Sequence, residues 1–404
     1  MKEWSNWSGS LRFVPATIKK PETEDELRDI VSESFRRGTR CKLVGAGHSS
    51  SPLVKTHQVL IDLSNFKGIV SQHKKDSTVT FRAGVSVHEA NMALEKMQLS
   101  LFNTGDVDVQ TLAGAISTGT HGSGKSLQNL ASMLMGVRVV NYKGEVEEYQ
   151  QASEADIMRA MRVSLGALGI FSEIKVKVEP LVTMHRMEFF TSTDVCVSEF
   201  NGLAEENRNL DFYWYPRSDE VKIRILNEEG KGSRHFTFEH YCKEEERGYV
   251  GDILPRERVL KFDEMEYAVP FENGIPCFLE VRKRIKEKHR KEVAWRVLYR
   301  TIKSDENYIS PHYGRDSVSI SLHHNAGLPF REFFSDIEPI FIHHGGRPHW
   351  AKIYNAKAQP LNSLYPEWNK FQEIRERLDP EEFFLNEHLA ELFGHGENKI
   401  KSIR

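Results

Sequence analysis

Two glycine-rich loops constrain this chain more than anything else in it. The first is Val44-Gly45-Ala46-Gly47-His48-Ser49-Ser50-Ser51, and the second is Ala113-Gly114-Ala115-Ile116-Ser117-Thr118-Gly119-Thr120-His121-Gly122-Ser123-Gly124. Each interleaves glycines with small hydroxyl residues. That composition suits a backbone closing on a phosphate, because no Cβ obstructs the approach and N–H groups converge on the anion. Set among short β-type segments, the pair predicts a large phosphorylated cofactor held between two parts of one domain. Two tight turns without a ligand account for either loop alone, but poorly for both. The first loop fails the G-x-G-x-x-G dinucleotide fingerprint at its third glycine, and no ribose-binding acid follows, so a nicotinamide-type Rossmann domain is not expected. His48 is the odd element, since a phosphate cradle has no need of an imidazole.

The residues around the loops read as alternating α and β elements. Thr23-Glu24-Asp25-Glu26 is a capping box, and Leu27, Ile30, Val31 and Phe35 form an apolar stripe that Gly38 ends. Lys42-Leu43-Val44 is a short strand delivering the chain to the first loop, and Val59–Asp62 and Thr78–Arg82 are further strands. Ser86-Val87-His88-Glu89 opens a second capped helix through Met97. After the second loop, 137–140 and 145–149 flank the turn Asn141-Tyr142-Lys143-Gly144 as a hairpin. A helix from Ser153 to about Val163 and an alternating strand at 173–178 follow. Beyond Pro180 the texture changes to longer alternating segments, such as 211–215 and 221–226, with charged helical stretches between them, notably 283–303. Residues 227–267 read as charge-rich and irregular, a surface insertion or mobile segment. The expectation is α+β: a cofactor domain over 1–180, a substrate domain on an antiparallel sheet over 181–345, and a C-terminal segment, 346–404, that completes the active site.

Composition excludes several classes. Lys plus Arg (55) nearly balances Asp plus Glu (58) for a net charge of −3, unlike the basic footprint of a nucleic-acid binder. No apolar run approaches the ~18 residues that span a bilayer, and the N-terminal stretch lacks the apolar core of a signal peptide. Cys41, Cys196, Cys242 and Cys277 are far apart and form no C-x-x-C pair, which reads as reduced cytoplasmic thiols. The pairs His323-His324 and His343-His344 lack the i, i+4 spacing of a helical zinc motif, so no metal is expected.

The two loops together strongly resemble those of the FAD-linked oxidases of the vanillyl-alcohol-oxidase superfamily, in the branch of aldonolactone and alditol oxidases. Asn6-Trp7-Ser8-Gly9, the run from Ile309 to Asp316, and Arg347-Pro348-His349-Trp350-Ala351-Lys352 extend the resemblance over nearly the whole chain. It implies a two-subdomain FAD-binding domain with a cap domain, and FAD joined through its 8α-methyl to His48. Gly45, Ala46, Gly47, Ser49 and Ser50 would then line the pyrophosphate. Thr111, Gly114, Ser117, Thr118, Gly119, Thr120, Gly122 and Ser123 would wrap pyrophosphate and flavin, while Gly169, Ile170 and Val176 cover the adenine end. His121 is given a structural role within its loop.

For the substrate, Phe278-Leu279-Glu280-Val281-Arg282 has strand character, which puts Glu280 and Arg282 on one face. Taken bare, such a pair is a solvated surface pair. The resemblance implies instead that both face the flavin, with Lys352 as a second cation. Oxidising a CH–OH group removes a hydride from carbon and a proton from oxygen. Arg282 and Lys352 would stabilise the developing alkoxide, and Glu280 would orient Arg282. Tyr313, Arg315 and His349 are weaker candidates for support. Thr111 stands where alditol oxidases carry a serine, and Ser321-Leu322-His323-His324 departs from the polyol-oxidase pattern. The reading is a covalent-FAD oxidase of an alditol, reoxidised by molecular oxygen to give hydrogen peroxide. The alternatives are a sugar-1,4-lactone oxidase or dehydrogenase of the same fold and, from a different class, a flavin-free sugar-binding protein.

Overall fold

The computed structural model describes residues 2–232, 235–254, 260–293, 295–355 and 358–395. Its first part follows the sequence pattern closely. The Glu24–Arg36 helix starts at Thr23, whose side chain accepts the Glu26 amide, and buries Leu27 and Val31. This helix connects two strands of a parallel three-stranded sheet, Thr17–Lys19 and Cys41–Val44, which flank Val59–Asp62. The Val87–Lys96 helix carries the full capping box between Ser86 and Glu89. A second, antiparallel sheet runs in the order Val146–Gln150, Leu134–Val140, Ile170–Lys177, Thr78–Arg82, Ile69–His73. One apolar core joins these elements to Tyr308, Ile309, Trp350 and the C-terminal residues Phe371 to Phe393.

The second part is an eight-stranded antiparallel sheet. Its order is Tyr241–Gly248, Met184–Ser192, Glu220–Glu228, Asn209–Tyr215, Val297–Ile302, Ser317–Asn325, Phe262–Pro270, Arg347–Pro348. Because side chains alternate along a strand, each strand sends one set to each face. One face is apolar: Phe189, Phe212, Ile223, Tyr299, Ile320 and Tyr267 are buried there against Phe200, Phe278, Phe334 and Phe341 of three helices. Burying each such side chain contributes roughly 1.5–3 kcal/mol. The opposite face is polar, and it is buried as well. Along it lie Glu264 and Glu266, paired in register with His323 and Ser321, and then Arg300, paired with Ser319 and with Asp211.

Three expectations are corrected here. The segment 227–267 is no surface insertion: among its described residues, Tyr241–Gly248 is an edge strand, Val250–Ile253 a helical turn, and Phe262–Pro270 lies inside the sheet. Parts of it, 233–234 and 255–259, fall outside the described residues. Residues 278–282 belong to the Gly274–Arg284 helix and form no strand. Finally, the helical reading of 283–303 fails at its end, because Val297–Ile302 is a strand. The four cysteines are free thiols. Among the described residues no helix is long and apolar enough to cross a membrane.

Candidate active site

The first glycine loop leaves the Cys41–Val44 strand and is clamped from two sides. Trp7 donates its amide to Gly47 O at 2.8 Å, and Asn6 Nδ2 donates to Ser49 O at 3.0 Å. On the other side, the Ser50 amide donates to Ala351 O at 2.8 Å and the Ser51 hydroxyl to Trp350 O. The loop opens onto a cleft that it shares with the second loop. Gly45, Ala46, Gly47, His48, Ser49, Thr111, Gly114, Ser117, Thr118 and Gly169 all line this cleft. Glycine is required at two of these positions for a reason of packing: a Cβ at Gly114 would lie 2.7 Å from Thr111 Oγ1, and one at Gly45 would overlap the same hydroxyl. The two loops close on each other across Thr111. Their bare backbones and hydroxyls leave an elongated cradle that fits the phosphates and rings of FAD, with His48 lining it.

His48 stacks on Trp7, with ring centroids 5.2 Å apart. Burial, reinforced by the Lys352 ammonium, brings the pKa of its imidazole down to about 4. The ring is neutral near pH 7 and keeps a nucleophilic nitrogen.

Next to the cleft, Ala351 leads directly into the polar face of the sheet. The His349 amide donates to Glu266 O and the Ile353 amide to Glu264 O, both at 2.9 Å, so this segment lies along the Phe262–Pro270 strand. Lys352 thereby ion-pairs with Glu264. Glu266 is only 2% exposed and accepts from four donors. Oε1 takes His121 Nε2 at 2.5 Å and the Ser319 hydroxyl at 2.6 Å; Oε2 takes Arg300 Nη2 at 3.0 Å and the Ser321 hydroxyl at 2.7 Å. Burial pushes this carboxyl up, but Arg300 and His121 outweigh it and hold it well below the usual carboxylate range. At Glu264 burial is likewise outweighed, by Lys352 and His323, and the net shift is downward. Burial also takes His349 down to about 3 and His323 to about 4. His349 Nδ1 accepts the Ala351 amide at 3.1 Å, so its neutral ring carries the proton on Nε2 as a donor. Arg300 Nε and both ring nitrogens of His312 are buried without a hydrogen-bond partner.

His121, Glu266 and His349 present ligand atoms within 4.8 Å of one another, a spacing that would admit a metal ion. The carboxylate already has a full set of donors, however, and two fixed cations stand in the same cluster. Its chemistry is that of a hydrogen-bond network.

Of the residues singled out in the sequence, Lys352 and the cofactor set named above converge on this region. Glu280 and Arg282 do not. Arg282 sits on an outer helix, bonded to Asp219 through Nε and Nη2 at 2.8 and 2.7 Å and to Asp194 at 3.1 Å. Glu280 pairs with His344 at the surface. Ser50 faces Asp263 rather than the cleft. Ile170 and Val176 are buried in the core, and Phe171 and Gly166 line the cleft near Gly169 in their place. Gly119 and Thr120 shape the turn that carries His121, while Gly122 and Ser123 lie beside a smaller cavity under Asp211 and Arg224. Tyr313 bonds to Glu367 and Arg315 to Ala268 O, both in supporting positions. Sequence reasoning missed Glu264, Glu266 and Arg300. The available signal was the even spacing of Glu264 and Glu266 in Phe262-Asp263-Glu264-Met265-Glu266-Tyr267, which puts both on one face of a strand.

Comparison with known proteins points to an FAD-binding chain. The sequence profile of an FAD-binding domain matches residues 15–150, and that of D-arabinono-1,4-lactone oxidase matches residues 224–392. The chain is 30% identical to the L-gulono-1,4-lactone dehydrogenase of Mycobacterium tuberculosis, over 97% of this chain and 99% of that one. It is 26% identical to the L-gulonolactone oxidase of Mus musculus, over 97% and 98%. Among solved structures, cholesterol oxidase from B. sterolicum superposes with a TM-score of 0.85 at 15% identity, covering 97% of this chain and 96% of that one, which is a likeness of fold.

Proposed function

Because the chain belongs to the aldonolactone-oxidase branch of the FAD-linked vanillyl-alcohol-oxidase superfamily, and is an FAD-dependent oxidoreductase acting on CH–OH groups, we propose that its substrate is a sugar 1,4-lactone. The names of the relatives favour the lactone over the alditol. The observation that carries the choice is the polarity of the cluster. Two donors, the Arg300 Nε and the His349 Nε2–H, face the cluster, whereas the acceptor positions of Glu266 are taken. A lactone offers acceptor-only oxygens, at its carbonyl and in its ring, that match such donors; an alditol offers hydroxyl groups, each with a proton to place.

Bound FAD supplies a two-electron acceptor for the hydride leaving the hydroxyl-bearing carbon. The chain's own residues do the rest. Arg300 and Lys352 place positive charge where the substrate oxygen becomes anionic, in a buried setting where such charge acts strongly. His349 donates from Nε2, Glu266 fixes the guanidinium of Arg300, and Glu264 holds Lys352. The neutral, cleft-lining His48 is the point of covalent attachment to the flavin 8α-methyl, an assignment supported by its place beside Lys352.

Two measurements test this reading. Flavin fluorescence should persist on the denatured polypeptide and vanish with His48→Ala; release of free flavin from the unmutated protein on acid precipitation would contradict attachment. Anaerobic bleaching of the flavin should occur with aldono-1,4-lactones and be much slower with xylitol or sorbitol, and the opposite order would restore the alditol reading. Peroxide formation under air in the same assay separates an oxidase from a dehydrogenase.

A further inference from the structure

We infer that Arg296, with the aromatic rings beside it, forms a subsite for the hydroxylated arm of the substrate, the part remote from the reacting carbon. The inference rests on reading the polar face as a lactone site, and it adds which lactones that site prefers. Strand register fixes the layout. Glu266 pairs with Ser321, Ser321 with Leu298 and Leu298 with Tyr213, so these four share the polar face. Arg296, one residue before the Val297–Ile302 strand, holds its guanidinium over the Tyr213 ring, 4.4 Å from the centroid. It therefore lies on the same face as Arg300, with the buried Leu298 between them. At roughly 3.3 Å per residue the two arginine Cα atoms stand about 13 Å apart, close enough for one six-carbon molecule to touch both side chains.

Arg296 is half-buried, and among the described residues its guanidinium has no hydrogen-bond or ion-pair partner. The carboxylates of this face are engaged elsewhere. Asp106 accepts from the Tyr213 hydroxyl at 2.7 Å and pairs with Arg224 at 2.9 Å; Asp211 pairs with Arg224 at 2.7 Å; Glu264 faces Lys352 and His323. The tyrosine face holds the Arg296 cation in place and uses none of its N–H donors, which are left for oxygen acceptors. Next to it stands an apolar wall. The Trp295 indole N–H donates to Asn325 Oδ1, and the ring packs on Phe262 at 5.2 Å between centroids. Phe262 meets Trp7 at 5.2 Å, and Trp7 stacks on His48. All three aromatic residues are half-buried, so the wall runs along the edge of the face from His48 to Trp295. An aromatic wall beside a few placed polar groups is the general build of a small-ligand site, and a sugar offers C–H groups to the one and oxygens to the other. With Arg300 and Lys352 at the reacting oxygen, Arg296 meets the opposite end of the molecule. In a hexono-1,4-lactone that end is a two-carbon hydroxylated arm; a tetrono-1,4-lactone has none.

The test compares anaerobic flavin reduction by a hexono-1,4-lactone and by a tetrono-1,4-lactone in the FAD-loaded, full-length protein and in its Arg296→Ala and Arg296→Gln variants. In both variants half-saturation for the hexonolactone should rise about 10–100-fold, the range for losing hydrogen bonds from a charged donor. Its limiting rate should change less than threefold, and reduction by the tetronolactone should stay within twofold. The preference for the longer lactone then falls by the same factor, which a merely structural role would not produce. No rise, or an equal rise for both lactones, overturns the subsite and leaves the lactone reading intact. Bleaching by alditols in place of lactones overturns the lactone reading alone, and the subsite is then judged by the same ratio on sorbitol against glycerol. If neither class bleaches the flavin, both fall. Trp295→Ala should raise hexonolactone half-saturation about 3–10-fold, as for the loss of one aromatic contact; no rise removes the wall from the subsite.

Discussion

Two pairs of charged residues spaced i, i+2 set the lesson of this molecule. Glu280 and Arg282 occupy a helix on the outside of the substrate domain, where Glu280 is 49% exposed at its side chain and Arg282 is spoken for by Asp219 and Asp194. Glu264 and Glu266 occupy a strand inside it, nearly inaccessible, each compensated by cations from other segments. The spacing is the same and every member is a charged residue. What differs is the surrounding dielectric and the company each pair keeps. In water an ion pair contributes almost nothing, whereas a desolvated carboxylate with four donors fixes the orientation of everything bonded to it.

The contrast is easiest to break at its buried end. Glu266→Ala leaves the buried Arg300 guanidinium without its counter-charge, and should destabilise the fold by about 3–5 kcal/mol in urea titrations; a loss below ~1 kcal/mol would show that water or a rearranged side chain replaces the carboxylate. Acid should act through buried histidines, two on this face and one, His388, beside Tyr354. His323, His349 and His388 are held by burial at about 4, about 3 and about 4, so in the folded protein they stay neutral, while the unfolded chain protonates them below ~6.5. The unfolded state then binds more protons, and stability is lost as pH falls from about 6.5 towards 4, by up to ~1.4 kcal/mol per pH unit for each histidine. Denaturation midpoints at pH 7, 6 and 5 check the sign; a midpoint that rises on acidification contradicts it. At the exposed end, Arg282→Ala should cost no more than ~1 kcal/mol, the range of partly exposed pairs.

Much of the fold was legible in the residues. The Ser86 capping box, the Thr23 cap, the hairpin about Asn141–Gly144 and the two glycine loops all appear as expected, because each is a local device whose residues sit next to one another. At the site, the cofactor loops, Lys352 and His349 were legible, and the rest of the polar cluster was not. Glu264 and Glu266 lie in a charge-rich stretch, and hydropathy cannot separate a solvated charge from a buried one whose partners come from Arg300 and Lys352, far along the chain. The misreading of 278–282 has a different source. A five-residue window shows period two, but Cys277, Phe278, Val281 and Ile285 make a helical stripe, and all four are buried.

The most direct test of the claim that chemistry occurs on the sheet's buried polar face is a single comparison of anaerobic flavin reduction by an aldono-1,4-lactone in two arginine variants. Arg300→Ala should slow reduction by at least about 10²–10³-fold, the loss expected when a donor to a developing oxyanion is removed, while Arg282→Ala stays within twofold of the unmutated protein. The reverse pattern, with Arg282 indispensable and Arg300 silent, would contradict the account.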